Sequence, residues 1–178
     1  EVALMLLDLD HFKTVNDHHG HSGGDNILRQ AAEKLINSLP EHAVKARLGG
    51  DEFVAMLDIQ RGAKAAVDAL AHDLLAGLRD ELRHNDRPIS VGASLGISLA
   101  QDVGMQMDQL VRQADIAMYH CKDQGRGRQI WFEHGMEMAT QVRTKWEAEI
   151  KAGMARGEFT PHFEPQVELA TGRILGFE

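Results

Sequence analysis

Four acids fall in two pairs along a chain of 178 residues: Asp8 and Asp10 close the apolar run VALMLL, and Asp51 and Glu52 follow two glycines in RLGGDEFVAML. Two glycines suffice for a chain reversal, so the carboxylates need a reason of their own. If these segments are neighbouring strands of one sheet, Asp8 and Asp51 converge at one end, and carboxylates converging without an interleaved Lys or Arg repel each other. A divalent cation relieves that repulsion. Oxygen-only ligation favours Mg2+, which takes one or two carboxylates and completes its shell with water and substrate phosphates. Turns also collect Gly, Asp and Glu for conformational reasons alone; that accounts for the hairpin acids but not for a second pair ending a buried strand. Lys122 and Arg126, four residues apart at a helix end and in the glycine-broken QGRGR after it, could clamp a polyphosphate, the arginine as a planar fork and the lysine as a point charge. A helix dipole favours bases at that end too, so this pair alone is uninformative. His11, His18, His19 and His21 fit none of the usual zinc frameworks and read as loop histidines.

The elements that must position these groups follow from periodicity. VALMLLDLD is apolar on both alternating faces until Asp8, as expected of a central strand covered on each side. HFKTVNDHHGHSGGD reads as a polar turn with irregular backbone, followed by a helix on which Leu28, Ala31, Ala32, Leu35, Ile36 and Leu39 recur. Residues 43–48 and 53–59 flank the glycines as a β-hairpin. A helix over 63–82, a strand in ISVGASLGISL with a bulge or close approach at Gly92 and Gly96, a helix from Met107 to Cys121 and a short strand QIWF complete the order. The pattern predicts an α+β sandwich, a mostly antiparallel central sheet flanked by helices. A boundary falls near residue 134: residues 1–133 form the first domain, 134–157 a linking helix whose Trp146 stripe is packing surface, and 158–178 a new hairpin.

Composition bounds the partners. Asp and Glu number 27 against 19 Lys and Arg, a formal net charge of -8 with no cluster of bases, which excludes a nucleic-acid polymer as ligand. A phosphate-bearing partner must be met locally, through a metal. Cys121 is the single cysteine, so no intrachain disulfide forms and a reducing, cytoplasmic compartment is expected. The first apolar run is too short to cross a bilayer, and attachment to a membrane or sensor through further segments stays open. Both ends read as cut from a longer protein.

The ordered set DLDHFKTVND, GHSGGD, ARLGGDEF, ASLGIS, ADIAMY and CKDQGRGR, covering residues 2–132, resembles the GGDEF domain of diguanylate cyclases. The resemblance implies a nucleotidyl cyclase, ferredoxin-like βαββαβ core that condenses two GTP into cyclic di-GMP and two pyrophosphates by two-metal phosphoryl transfer, with two Mg2+ or Mn2+ per site. It implies Asp8, Asp51 and Glu52 as catalytic acids, with Asp8, the Leu9 carbonyl, Asp51 and Glu52 as metal ligands. Asn16 and Asp25 would read the guanine edge, Phe12, Gly49 and Gly50 would face the nucleotide, and Lys122 and Arg126 would grip its phosphates. Each domain would hold one GTP, so turnover would need a second copy across a two-fold axis.

His11 and Gly127 depart from the family's usual residues without touching the chemistry. The family's inhibitory product-binding Arg-x-x-Asp corresponds to Pro40 and Ala43, so no feedback site is expected, and the family's upstream Asp-x-Leu-Thr-Gly-Leu segment is absent. The tail resembles the opening of an EAL phosphodiesterase domain with Glu178 in its motif, too short to be active, and Phe163-Glu164-Pro165 replaces that family's Tyr-Gln-Pro. Two readings stand: an active cyclase, and a silent GTP-binding module controlling an adjoining EAL domain.

Overall fold

The structure is a computed structural model and describes residues 1–178 apart from 81, 86 and 101–104. In chain order it runs β1 (Val2–Leu9), α1 (Phe12–Ser38), β2 (Val44–Gly49), β3 (Glu52–Asp58), α2 (Lys64–Asp80), β4 (Arg83–His84), β5 (Arg87–Pro88), β6 (Ala93–Ala100), α3 (Met107–Asp123), β7 (Gln129–Trp131), α4 (His134–Ala155), β8 (Pro165–Val167) and β9 (Ile174–Phe177). Residue 81 of the helix expected over 63–82 lies outside the described residues. The chain divides into two compact units, Glu1–Met138 and Ala139–Glu178.

In the first unit a five-stranded sheet has the order β2-β3-β1-β6-β7. Strand β1 is central, antiparallel to β3 on one side and to β6 on the other, which is why its sequence is apolar on both faces. Its alternation sorts the core into two layers. Ala3, Met5, Leu7 and Leu9 pack with Val15, Ile27 and Leu35 of α1 and Val67, Leu74 and Leu78 of α2. Leu4 and Leu6 pack on the opposite face with Leu110, Ala114 and Met118 of α3. Even-numbered residues of β1, Asp8 among them, therefore face the α3 layer.

Two expectations need correction. The sheet is mixed rather than mostly antiparallel, because β7 runs parallel to β6. A strand that returns after a single helix packed on one face arrives parallel, and a three-residue strand carries no direction in its composition. Residues 12–25, expected as a turn, belong to α1, whose 27 residues are two helical segments joined at Gly20, where φ 70 and ψ 171 interrupt the helix. Phe12 and Val15 bury against the sheet while Lys13, Thr14, Asp17, His18 and His19 face outward, so packing overrides the weak helix propensity of His, Asn and Gly. The β4-β5 ribbon was not anticipated from composition.

At Gly96 the alternative of a bulge is settled in favour of close approach. The β1-β6 register runs unbroken, and a Cβ at Gly96 would lie 2.0 Å from the Ala114 carbonyl oxygen and 2.4 Å from the Met118 nitrogen. The α3 main chain rests directly on β6.

The second unit consists of most of α4 followed by the antiparallel β8-β9 pair, closed by mutual backbone bonds of 2.9 Å between Glu164 and Glu178. Val142, Trp146, Ile150 and Met154 form a stripe along α4 and are exposed in this chain. Among the described residues no helix is long and apolar enough to cross a membrane.

Candidate active site

The C-terminal end of β1 gathers the expected acids. Asp8 is buried and lies opposite Glu52 on β3 and Ser94 on β6. Lys122, in the last turn of α3, places Nζ 2.8 Å from Asp8 Oδ2. Even so, the Asp8 carboxyl is held above the ordinary carboxylate range: burial pushes it up most, the Lys122 hydrogen bond and charge pull it down, and the charges of Asp51 and Asp10 push it up again. Burial thus outweighs the ammonium at hydrogen-bond distance.

The β2-β3 turn closes this end. Gly50 has φ 54, in the left-handed region that glycine enters without a Cβ penalty. Arg47, which the sequence reading passed over, donates from Nε (2.9 Å) and Nη2 (2.6 Å) to the Gly50 carbonyl and braces the turn. The Leu9 N–H donates to the Asp51 carbonyl at 3.2 Å, tying the turn to the end of β1. A Cβ at Gly49 or Gly50 would meet nothing within 4 Å, so the space over the turn is open. Glu52 borders a hollow of about 410 Å³ whose wall includes Asp108, Arg112 and Asp115 of α3.

Asp10, singled out in the sequence without a role, is the best-satisfied acid of the group. Its Oδ1 accepts the Ser94 hydroxyl at 2.7 Å and its Oδ2 accepts the Gly127 N–H at 3.1 Å. Arg126 is exposed and borders a second hollow, of about 440 Å³, together with His11, His18 and His19. Lys122 is thus engaged by Asp8, while Arg126 opens on a separate, imidazole-lined surface.

A third group forms on α1. Phe12 and Asn16 share one helical face, and beyond the Gly20 kink Gly24 comes so close that a Cβ there would lie 2.0 Å from Asn16 Oδ1 and 3.1 Å from Phe12 Cζ. Asp25 follows at the rim of a cavity of about 470 Å³ shared with Arg29, Lys45, Arg47 and Phe53. Because α1 begins three residues after β1 ends, this group and the acid group hang from the same strand end.

Among the described residues no set of three or more His, Cys, Asp or Glu stands ready to hold a metal ion. His18, His19 and His21 belong to α1 rather than to a loop, and the His19 ring meets His84 edge-on with centroids 5.8 Å apart. The donors at the β1 end are oxygens only and include the one or two carboxylates that Mg2+ takes when substrate phosphates supply the rest, so they fit that ion.

A mixed sheet with α1 and α2 on one face, α3 on the other, and acids at the end of its central strand defines a class of α+β sandwich domain. The family model described as diguanylate cyclase, GGDEF domain matches residues 1–128, and the chain belongs to that family. It is 34% identical over 176 residues to the bifunctional diguanylate cyclase/cyclic di-GMP phosphodiesterase MucR of Pseudomonas aeruginosa, covering 99% of this chain and 25% of MucR. It is 30% identical over 177 residues to the cyclic di-GMP phosphodiesterase NbdA of the same organism, covering 99% of this chain and 22% of NbdA. The chain thus spans about a quarter of the length of the curated relatives it matches. Among solved structures, a P. aeruginosa PA1120 (TpbB or YfiN) variant comprising only the GGDEF domain superposes with TM-score 0.73 at 32% identity, over 79% of this chain and 81% of that one.

Proposed function

We propose that residues 1–133 condense two GTP into cyclic di-GMP and two pyrophosphates, each of two facing copies of the domain holding one nucleotide. What carries this reading is the Asp8 end of β1, where a buried carboxylate lies opposite Glu52, meets Lys122 Nζ at 2.8 Å and is followed by Leu9, whose N–H is bonded to the Asp51 carbonyl. Asp8, the Leu9 carbonyl, Asp51 and Glu52 would hold two Mg2+ or Mn2+ ions. When bound, such ions supply Lewis-acid stabilisation of the transferring phosphoryl group and favour the deprotonated 3′-hydroxyl. Asp25 accepts from guanine N1–H and the exocyclic amine, a donor pair that adenine does not present, and Asn16 stands beside it on the same edge. Phe12 packs under the base, the open Gly49-Gly50 turn admits the nucleotide, and Lys122 and Arg126 neutralise its phosphates. Pro40 and Ala43 leave no Arg-x-x-Asp, so product feedback through that surface is absent.

The tail reads as the opening of an EAL domain, with 134–157 as linker and 158–178 as its first hairpin. This favours a second reading in which the GGDEF portion binds GTP and regulates an adjoining phosphodiesterase from the cytoplasmic side. In support, both Pseudomonas relatives named above carry phosphodiesterase in their names and align over 99% of this chain, tail included.

The test is to incubate dimerised protein and its Asp51→Asn variant with GTP and Mg2+ and to assay cyclic di-GMP. Product from the wild type alone is expected. GTP binding without product selects the regulator, and absence of GTP binding removes both readings.

A further inference from the structure

We propose that Asp10 is a positioning residue that holds Arg126 ready for a nucleotide phosphate; this rests on the GTP-binding reading above. Asp10 is buried, and both carboxylate oxygens are committed inside the protein, Oδ1 to the Ser94 hydroxyl at 2.7 Å and Oδ2 to the Gly127 N–H at 3.1 Å. Its own N–H donates to the Gly92 carbonyl at 2.8 Å. A Cβ at Gly92 would come within 2.9 Å of Asp10 Oδ2, so the carboxylate occupies space that a glycine leaves free. Asp10 lies two residues from Asp8, and both of its oxygens are held by donors of the scaffold.

The segment it holds is conformationally unusual. Gly125, Arg126 and Gly127 take φ values of 104, 63 and 65 in succession, and Arg126 pays a steric cost there that its glycine neighbours escape. An outlier of this kind persists only where the surroundings over-determine it. Asp10 grips the N–H of Gly127, Arg79 Nη2 donates to the Gly127 carbonyl at 3.2 Å, and the Arg126 N–H donates to the Cys121 carbonyl at 3.0 Å. With the amides of Arg126 and Gly127 spent, this turn offers an anion the Arg126 guanidinium rather than a backbone nest. That guanidinium is exposed and has no hydrogen-bond or ion-pair partner among the described residues. Fixing the backbone on either side of it removes part of the ordering cost of gripping a phosphate.

The experiment is a double-mutant cycle read by calorimetric GTP binding, with guanosine as the probe lacking phosphate. Asp10→Ala is expected to weaken GTP about tenfold, equivalent to about 1.4 kcal/mol, and to leave guanosine unchanged. Asp10→Ala/Arg126→Ala should bind GTP within about twofold of Arg126→Ala alone, since coupled residues are non-additive. Asp10→Asn keeps an oxygen for the Gly127 N–H and should stay within about threefold of wild type, the rescue that a charge-only role would deny. Should Asp10→Ala fail to fold, Asp10→Ser, too short to reach Gly127, takes its place with the same expectations. Wild-type GTP affinity in Asp10→Ala, an Asp10 penalty that adds in full to that of Arg126→Ala, an equal loss for guanosine, or a Gly127 amide that exchanges unprotected in the wild type would each overturn the proposal. Wild-type protein that bound no GTP would bring down the parent reading itself, a result visible before any variant is made.

Discussion

Asp8 and Asp10 stand two residues apart at the end of one strand and are almost equally buried, at 9% and 8% exposure, yet the protein treats them in opposite ways. Asp10 receives neutral donors on both oxygens, a hydroxyl and an amide, and becomes part of the scaffold. Asp8 is met by one ammonium with two carboxylates nearby, and its carboxyl is raised chiefly by burial, against the pull of Lys122. Burial alone does not separate a structural acid from a chemical one. The difference lies in the donors: a hydroxyl and an amide fix both oxygens of Asp10, whereas the partner of Asp8 is the mobile ammonium of a lysine side chain.

That contrast can be broken most sharply at Asp8 itself. Asp8→Asn should cut cyclic di-GMP formation by more than about 100-fold, beyond the roughly 10–100-fold typical of residues that only orient a metal ligand, while thermal unfolding barely moves. An Asp8→Asn protein that loses its fold instead would place Asp8 beside Asp10 in the scaffold. Next in size, Asp10→Ala strands the Ser94 hydroxyl and the Gly127 N–H and should cost about 1–3 kcal/mol of stability, measured by denaturant titration. Lys122→Met removes the ammonium that competes with a divalent cation for Asp8. Mg2+ should then bind about tenfold more tightly and add about 1.4 kcal/mol to its stabilisation of the fold, read as a larger Mg2+-induced rise in melting temperature than in wild type; an equal rise would show that Lys122 and the cation do not share Asp8. Smallest is Gly50→Ala, where open space leaves only the left-handed conformation to be met, at about 1 kcal/mol.

Much of this was legible before the structure. An apolar run without alternation announced a central strand, and two acids at its end announced an electrostatic problem, because both inferences depend on neighbours in sequence. The β2-β3 hairpin was legible from its glycines for the same reason. What escaped reading depends on distant partners. Asp10 is tied to Gly127, 117 residues away, and nothing local distinguishes it from Asp8. The first half of α1 looked like a loop because its histidines, asparagine and glycines are weak helix formers, and only burial of Phe12 and Val15 under the sheet reveals why it coils. The parallel β7 escaped because three residues, Gln129–Trp131, leave strand direction to the crossover before them.

Gly96 sets how much sequence drift this site tolerates. Since α3 meets β6 main chain to main chain, the depth of the helix is fixed by the absence of one Cβ rather than by the fit of its side chains. Exchanges such as Met118→Leu can therefore accumulate along α3 without altering the height at which Lys122 meets Asp8. A single methyl group at residue 96 would lift the whole helix, and with it the ammonium, away from the acids. The reach of a lysine 26 positions further along the chain is thus gauged by a residue that has no side chain at all.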